Sequence, residues 1–242
     1  MRRSNSADQL RLGFDEGEQV TRRCIAFAAA SAIFMSPVAA AEQPTLCTSD
    51  AMIVFDASSS MVGNGVTFVS RIDEARRALS RVLPQVARSR RIGLITYGPG
   101  PFERCNVKLN LRPTPNAAER ILSTVRSLEP AGRTPLTTAV ENAATVLDFR
   151  NRPGVVVLVT DGEETCSRSP CTLARNLHAV AEALTIHVIA YRLEIGWDGQ
   201  QGRLETKCLS DYTNGLYVPV SNEEELVAAL QKTLGCPLVS RN

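Results

Sequence analysis

Apolar residues in this chain form two kinds of pattern that alternate along the sequence. Four short stretches are almost wholly apolar and rich in β-branched residues, which is typical of strands buried on both faces of a parallel sheet. They lie at residues 51–55, 91–97, 155–159 and 186–191. The third is the most hydrophobic and is predicted to be central, and a further short strand is predicted over residues 216–218.

A helical spacing appears between these strands. Ile72, Ala75, Leu79 and Val82 recur three to four residues apart among charged positions, which predicts an amphipathic helix over residues 70–87. Further helices are predicted over residues 116–127, 134–148, 173–184, 204–212 and 223–234. The last of these begins after Ser221, which with Glu224 predicts a capping box.

The order of these elements defines a fold class. Residues 107–111 alternate between apolar and polar, which predicts a half-exposed, antiparallel edge strand. Strands that alternate with helices form doubly wound sheets. We therefore predict an α/β fold: a Rossmann-like, mostly parallel six-stranded sheet with one antiparallel edge strand and helices on both faces.

The first 41 residues have the pattern of an export signal. Two arginines precede an apolar stretch at residues 24–35, and small residues follow at 38–41, as before a signal-peptide cleavage site. This stretch is shorter than the roughly 20 residues that cross a bilayer as a helix, so no membrane span is expected in the mature form. One hypothesis for the polar segment 1–19 is an over-extended N-terminus, with translation beginning near Val20.

The remaining chain is predicted to form one domain over residues 49–236, with a lead segment at 42–48 and a tail at 237–242. The whole chain has 44% hydrophobic and 21% charged residues, which is ordinary for globular protein. Its formal net charge is only +2, and its basic residues are spread along the sequence. No nucleic-acid-binding surface is therefore predicted.

Cysteine usage agrees with export. Removal of Cys24 with the signal leaves six cysteines, an even number that an oxidising compartment would convert into three disulfides, so a periplasmic or secreted location is expected. Cys47 precedes the first strand and Cys236 follows the last helix, so both should lie at the bottom of the sheet and pair. The other four cysteines are Cys105, Cys166, Cys171 and Cys208. They could form disulfides between 166 and 171 and between 105 and 208, or pair crosswise.

Oxygen-bearing side chains occur where the predicted elements meet the carboxyl end of the sheet. They are Asp56, Ser58 and Ser60 after the first strand, Thr134 at the start of a helix, and Asp161 after the central strand. Ligands of doubly wound sheets bind at the carboxyl ends of the strands, so these side chains are expected to converge. Hydroxyl and carboxylate oxygens suit Mg²⁺ or Mn²⁺ better than a soft metal.

This pattern resembles the metal-ion-dependent adhesion site of the von Willebrand factor type A family, which is D-x-S-x-S with a distant threonine and a distant aspartate. The resemblance covers about residues 49–235, because the order of strands and helices fits as well. It implies that Ser58 and Ser60 bind the cation directly and that Thr134 does so directly or through water. Asp56 and Asp161 would act largely through waters.

The resemblance also implies a function. A cation held by neutral hydroxyls keeps a position for an outside ligand, so a protein partner can offer an Asp or Glu carboxylate to it. This is the chemistry of a non-catalytic binding module, used in adhesion or assembly. Ser59, where the family commonly has glycine, is a mild departure from the pattern.

Two other functions stay open at the level of sequence. One is a structural or assembly domain with a vestigial metal site, since Asp, Ser and Thr are also favoured as turn and cap residues. The other is a Mg²⁺-dependent phosphohydrolase that uses Asp56 as its nucleophile. Phosphatases of the haloacid dehalogenase type have a second acid two residues later, where this chain has Ser58.

Overall fold

The structure is a computed structural model that describes residue 47 and residues 49–63, 70–101, 104–192 and 201–236. These residues all belong to the unit Glu42–Asn242. The predicted signal peptide (1–41) and tail (237–242) lie outside the described residues. Within the described ranges, no helix is both long and apolar enough to cross a membrane.

The described strands form one mixed sheet. They are, in chain order, β1 (Asp50–Asp56), β2 (Ile92–Tyr97), β3 (Val107–Thr114), β4 (Gly154–Thr160), β5 (Leu184–Tyr191) and β6 (Tyr217–Val220). The spatial order of the 6-stranded sheet is β3-β2-β1-β4-β5-β6. Only the pairing of β3 with β2 is antiparallel, and the other four pairings are parallel. The predicted sheet, including its antiparallel edge strand, is confirmed.

Helices cover both faces of this sheet. The described α-helices are α1 (Arg71–Ser89), α2 (Ala118–Arg126), α3 (Leu136–Val146), α4 (Pro170–Val180), α5 (Gln201–Tyr212) and α6 (Glu223–Leu234). Side chains of α1, α2 and α6 form one hydrophobic core with the sheet, and side chains of α3, α4 and α5 form a second core on the opposite face. The predicted two-faced arrangement is therefore present.

The central strand β1 shows why its sequence is apolar throughout. Ile53 and Phe55 point into the core beneath α1, whereas Met52 and Val54 point into the core beneath α3, and all four side chains are fully buried. A strand between two cores has no solvent-facing side, so alternation of apolar and polar residues is lost. Because it is packed on both faces, β1 holds the residue at its carboxyl end, Asp56, in a fixed position.

The topology creates a crevice above β1 and β4. From β1 the chain moves outward to β2 and β3, and then it crosses to β4 on the other side of β1. Neighbouring strands whose connections run in opposite directions leave a gap between loops at their carboxyl ends, which is where doubly wound sheets bind ligands. Asp56 ends β1 and Asp161 follows β4, so both lie at this gap.

The predicted end of the helix α4 is wrong. The helix predicted over residues 173–184 ends at Val180, and Ala181 has extended backbone angles. Glu182 N donates a hydrogen bond to Phe149 O at 3.0 Å, so contact with the turn after α3 overrides the helix propensity of this segment.

The predicted capping box of α6 is displaced by one residue. The helix is capped by Asn222, whose side chain accepts from Glu225 N at 3.0 Å, and Glu225 in turn accepts from Ser221 N at 2.7 Å. Glu224 points instead toward α1, where its carboxylate accepts from Arg81 Nη2 at 2.9 Å. The ion pair between helices therefore takes Glu224 away from the role that its spacing predicted.

Three disulfides connect the six described cysteines. Cys47 is bonded to Cys236, as predicted, and this bridge joins the entry to β1 with the end of α6. The remaining pairs follow a crosswise arrangement, Cys105 with Cys166 and Cys171 with Cys208. The alternative pairing of 166 with 171 is not formed, because Cys171 lies in the first turn of α4 and faces α5.

Candidate metal centre

Asp56 is the fixed point of the candidate site. It is fully buried at the end of β1. Its Oδ1 accepts hydrogen bonds from Ser58 N at 2.8 Å and Ser58 Oγ at 2.6 Å, and its Oδ2 accepts from Thr160 Oγ1 at 2.8 Å. Both carboxylate oxygens are therefore engaged by the protein, and the short turn after β1 holds Ser58 in place.

Asp161 has an equivalent role at the end of β4. Its Oδ1 accepts from Ser60 Oγ at 2.6 Å, and its Oδ2 accepts from Arg71 Nη1 at 2.8 Å. Ser60 Oγ also lies 3.1 Å from Ser58 Oγ. A continuous hydrogen-bonded chain, Asp56–Ser58–Ser60–Asp161, thus joins the carboxyl ends of the two central strands.

Thr134 faces the same point from the start of α3. A Cβ atom placed on Gly162 would lie 3.7 Å from Ser60 Oγ and 3.9 Å from Thr134 Oγ1, so both hydroxyls border the space beside this glycine. Within the described part of the chain, no hydrogen bond is made by Thr134 Oγ1. A cavity of about 530 Å³ opens here, and it is lined by Ser58, Ser59, Ser60, Gly132, Arg133, Thr134, Gly162, Glu163 and Thr165.

The loop after β4 fixes the backbone around Thr134. Thr134 N donates to Thr165 Oγ1 at 2.7 Å, and Thr165 N donates to Thr134 O at 3.0 Å. The residue before α3 is Pro135, whose side chain cannot accept a capping hydrogen bond. Glu164 supplies that acceptor from the neighbouring loop, since its Oε2 accepts from Thr137 N at 2.8 Å.

Burial changes the pKa of two side chains at the centre, Asp56 and Tyr97. Burial, and next the nearby charge of Asp161, raise the pKa of Asp56 from 3.8 to about 6, although hydrogen bonds from Ser58 and Thr160 act in the opposite direction. Burial also raises the pKa of Tyr97 well above its ordinary value, with the Asp56 carboxylate adding to the effect. Two buried carboxylates repel each other, and a bound cation relieves that repulsion.

The donor set fits a hard divalent cation. Three hydroxyl oxygens, from Ser58, Ser60 and Thr134, face one cavity, and two carboxylates lie directly behind two of them. Among the described residues, no group of three or more His, Cys, Asp or Glu side chains could hold a metal ion. The candidate centre therefore depends on neutral oxygen donors, which hard cations accept and soft metals do not favour.

The sequence predicts five residues of this site and does not predict four that support it, which are Thr160, Arg71, Glu164 and Thr165. Thr160 was missed although it directly precedes Asp161 at the end of β4. Arg71 has a recognisable signal, because a cation in the first turn of a helix opposes the helix dipole and needs a nearby anion. Glu164 has no comparable signal, since its partner Thr137 lies 27 residues away.

Fold and geometry together define an α/β domain of the doubly wound class with a candidate hard-cation site at its switch point. Residues 51–164 match the family model described as von Willebrand factor type A domain. This stretch contains all five of the predicted metal ligands. The match and the observed sheet support a von Willebrand factor type A domain.

Known proteins are similar to this chain. The chain is 24% identical over 204 residues to YwmC of Bacillus subtilis, covering 79% of this chain and 86% of that protein. An aerotolerance-related membrane protein of Bacteroides fragilis superimposes with a TM-score of 0.59 at 18% identity, covering 77% of this chain and 98% of that chain.

Two further solved structures are similar. The vWF domain of the type V pili tip protein Mfa5 from Porphyromonas gingivalis has a TM-score of 0.58 at 14% identity, covering 78% of this chain and 95% of that one. Proximal thread matrix protein 1 from the mussel byssus, with a zinc-occupied MIDAS motif, has a TM-score of 0.52 at 20% identity, covering 78% of this chain and 48% of that chain. At these identities the likeness is one of fold.

Proposed function

We propose that this chain is a divalent-cation-dependent protein-binding domain that acts in adhesion or assembly in the periplasm or outside the cell. Asp56, Ser58, Ser60, Thr134 and Asp161 would hold the cation, which is Mg²⁺ or Mn²⁺. When bound, the cation supplies an electrophilic position that an Asp or Glu carboxylate of a protein partner can occupy.

One observation carries this proposal: both oxygens of both buried carboxylates are already engaged by hydrogen bonds. Asp56 is held by Ser58 and Thr160, and Asp161 is held by Ser60 and Arg71. The oxygens that face the cavity are therefore hydroxyls. Neutral donors compensate little of a divalent charge, so this arrangement favours capture of an anionic group from outside.

The protein's own residues orient such a partner. Ser60 is exposed, whereas Ser58 and Thr134 are buried, so the hydroxyl cluster is reached from one side only. Arg133 and Glu163 are exposed at the same cavity, and among the described residues neither forms an ion pair. Two unpaired charges of opposite sign beside the opening are available to partner side chains.

The comparisons support an adhesive role for such a domain. Mfa5 is a pili tip protein, and the mussel protein has zinc in its MIDAS motif. Export of this chain is supported by its three disulfides, because such bonds persist in oxidising compartments. The signal-like pattern over residues 1–41 agrees with that location.

A phosphohydrolase is disfavoured by the surroundings of Asp56. A nucleophilic carboxylate must reach the phosphorus of its substrate, yet Asp56 has no exposed surface and its two oxygens accept three hydrogen bonds. The position two residues later holds Ser58, whose hydroxyl donates to Asp56 and has no acid function.

Calorimetric titration with Mg²⁺ and Mn²⁺ tests the proposal. We expect saturable binding by the disulfide-bonded protein, weakened at least about tenfold in Ser58→Ala and Ser60→Ala, since each removes a ligand that faces the cavity. Ser59→Ala is the matched control. Ser59 belongs to the same turn, but its hydroxyl donates to Gly132 O at 3.0 Å and not to a carboxylate.

Absence of cation binding would contradict the proposal. If neither cation binds to the wild-type protein, with or without added acetate as a carboxylate ligand, the metal-dependent function is wrong. A structural or assembly domain with a vestigial site would then be the better account, and its partner binding would be insensitive to chelators.

A further inference from the structure

One basic residue contacts the candidate metal centre directly. Arg71 is the first residue of α1, and its Nη1 lies 2.8 Å from Asp161 Oδ2. The side chain of Asp161 has no exposed surface, and that of Arg71 is only 12% exposed. An ion pair this well shielded from solvent is screened far less than a surface pair.

The pair changes the charge that a cation meets. Asp56 and Asp161 contribute two negative charges to the cluster, and Arg71 contributes one positive charge. Arg133 and Glu163, the two exposed ionisable residues of the cavity, have opposite signs and cancel to first order. Counted over these three buried side chains alone, the charge is minus one rather than minus two, so Arg71 leaves a bound divalent cation less neutralised than the two carboxylates alone would.

We propose that Arg71 tunes the centre by charge: it weakens the intrinsic binding of the cation and strengthens the cation's attraction for a partner carboxylate. This inference rests on the proposed function and assigns a positioning and charge-setting role to a residue outside the ligand set. Cation and partner would then bind cooperatively, because the partner's carboxylate supplies the negative charge that Arg71 offsets. The partner class is a protein surface that presents a carboxylate.

A purely structural role of Arg71 predicts the opposite sign. If the guanidinium served only to hold Asp161 in place, its removal would disorder the carboxylate behind Ser60 and weaken cation binding. If it acts through its charge, removal strengthens cation binding, since a positive charge close to a cation raises the free energy of the bound state. The direction of the change therefore separates the two roles.

The direction of the change in Mn²⁺ affinity is measured by titrating the protein with Mn²⁺ and monitoring the electron paramagnetic resonance signal of the free ion. We expect Arg71→Gln and Arg71→Met to bind Mn²⁺ about tenfold more tightly than wild type, and Arg71→Lys to remain close to wild type because it keeps the charge. Arg81→Gln is the matched control. Arg81 belongs to the same helix and pairs with Glu224, about 15 Å further along the helix axis.

Acetate serves as the probe for a partner carboxylate. Saturating acetate should tighten Mn²⁺ binding in wild type and do so by a clearly smaller factor in Arg71→Gln. Unchanged or weaker Mn²⁺ binding in Arg71→Gln, with a wild-type protein that binds, overturns the inference alone. Absence of binding in every variant, with and without acetate, overturns the proposed function and the inference together.

Discussion

At the scale of single residues, the candidate centre is built from short side chains whose neighbours are fixed by the sheet. Ser58 and Ser60 each donate to a buried carboxylate at 2.6 Å. These ligand types and their positions at strand ends could be read from the sequence, because each depends on local spacing. The position of Arg71 at the start of a helix indicates a need for an anion, but the sequence does not identify that anion as Asp161, which is 90 residues away and is brought to Arg71 only by the folded sheet.

His187 gives a pH dependence that is independent of the candidate centre. Burial, and next the positive charge of Arg90, lower the pKa of His187 from 6.5 to about 4. The neutral ring uses Nδ1 to accept a hydrogen bond from Leu216 N at 3.0 Å, which a protonated ring cannot do. The folded protein therefore resists protonation that the unfolded chain accepts.

The consequence is a loss of stability in mild acid. The contribution is fully present above pH 6.5 and is lost as the pH falls toward 4, by about 2 kcal/mol with allowance for the ring's partial exposure. Urea denaturation at a series of pH values measures the slope. His187→Asn keeps an acceptor and should flatten the slope of the free energy of unfolding against pH. The control is His178→Asn, on the exposed face of α4. Equal slopes in all three proteins would show that His187 is not the source of the pH dependence.

At the scale of elements, the loop between β4 and α4 does more than connect them. Thr165 exchanges two hydrogen bonds with Thr134, and Glu164 caps α3. The Cys105–Cys166 disulfide ties the middle of this loop to the connection between β2 and β3. The position of Thr134 therefore depends on a loop that one covalent bond restrains.

Removal of that disulfide should loosen the centre. We expect the double variant Cys105→Ser/Cys166→Ser to bind Mg²⁺ several-fold more weakly, because freer motion of the loop disorders the hydroxyl of Thr134. Calorimetry on the folded variants gives the affinities. Cys171→Ser/Cys208→Ser is the control, since that bridge joins α4 to α5 away from the cavity; an equal loss in both would show that the effect is general destabilisation.

The sequence predicts a helix or strand well where burial alone determines its bounds. It predicts the bounds poorly where contacts between residues distant in the sequence determine them. The strand β1 and the helix α6 follow from apolar spacing, and α6 has its predicted bounds Glu223–Leu234. The end of α4 at Val180 does not follow, because a hydrogen bond from Glu182 N to Phe149 O holds a segment whose residues favour helix. Disulfide pairing has the same limit, since spacing alone could not exclude a bond between Cys166 and Cys171.

At the scale of the whole molecule, the two ends of the sheet have separate roles. The carboxyl end holds the candidate centre. The opposite end is closed by Cys47–Cys236, where Cys47 N also donates to Ser89 O at 2.7 Å beside the end of α1. This bridge spans 189 residues, so it restrains nearly the whole domain in its unfolded state.

Stability and cation binding should therefore respond differently to loss of this bridge. We expect Cys47→Ser/Cys236→Ser to lower the free energy of unfolding by about 5 kcal/mol, as the loss of chain entropy predicts for a disulfide that closes so long a loop. The Mg²⁺ affinity of the folded variant should stay at the wild-type value, because the bridge lies at the far end of the sheet. Urea denaturation and calorimetry report the two quantities, and a marked loss of affinity would contradict this separation.

The most direct test of the account is an anomalous diffraction experiment on crystals of the protein soaked in Mn²⁺. We expect one manganese peak in the cavity beside Gly162, within bonding distance of Ser58 Oγ, Ser60 Oγ and Thr134 Oγ1, with Asp56 and Asp161 behind these hydroxyls. A manganese ion bonded directly to the Asp56 carboxylate, or no peak among these hydroxyls, would contradict it.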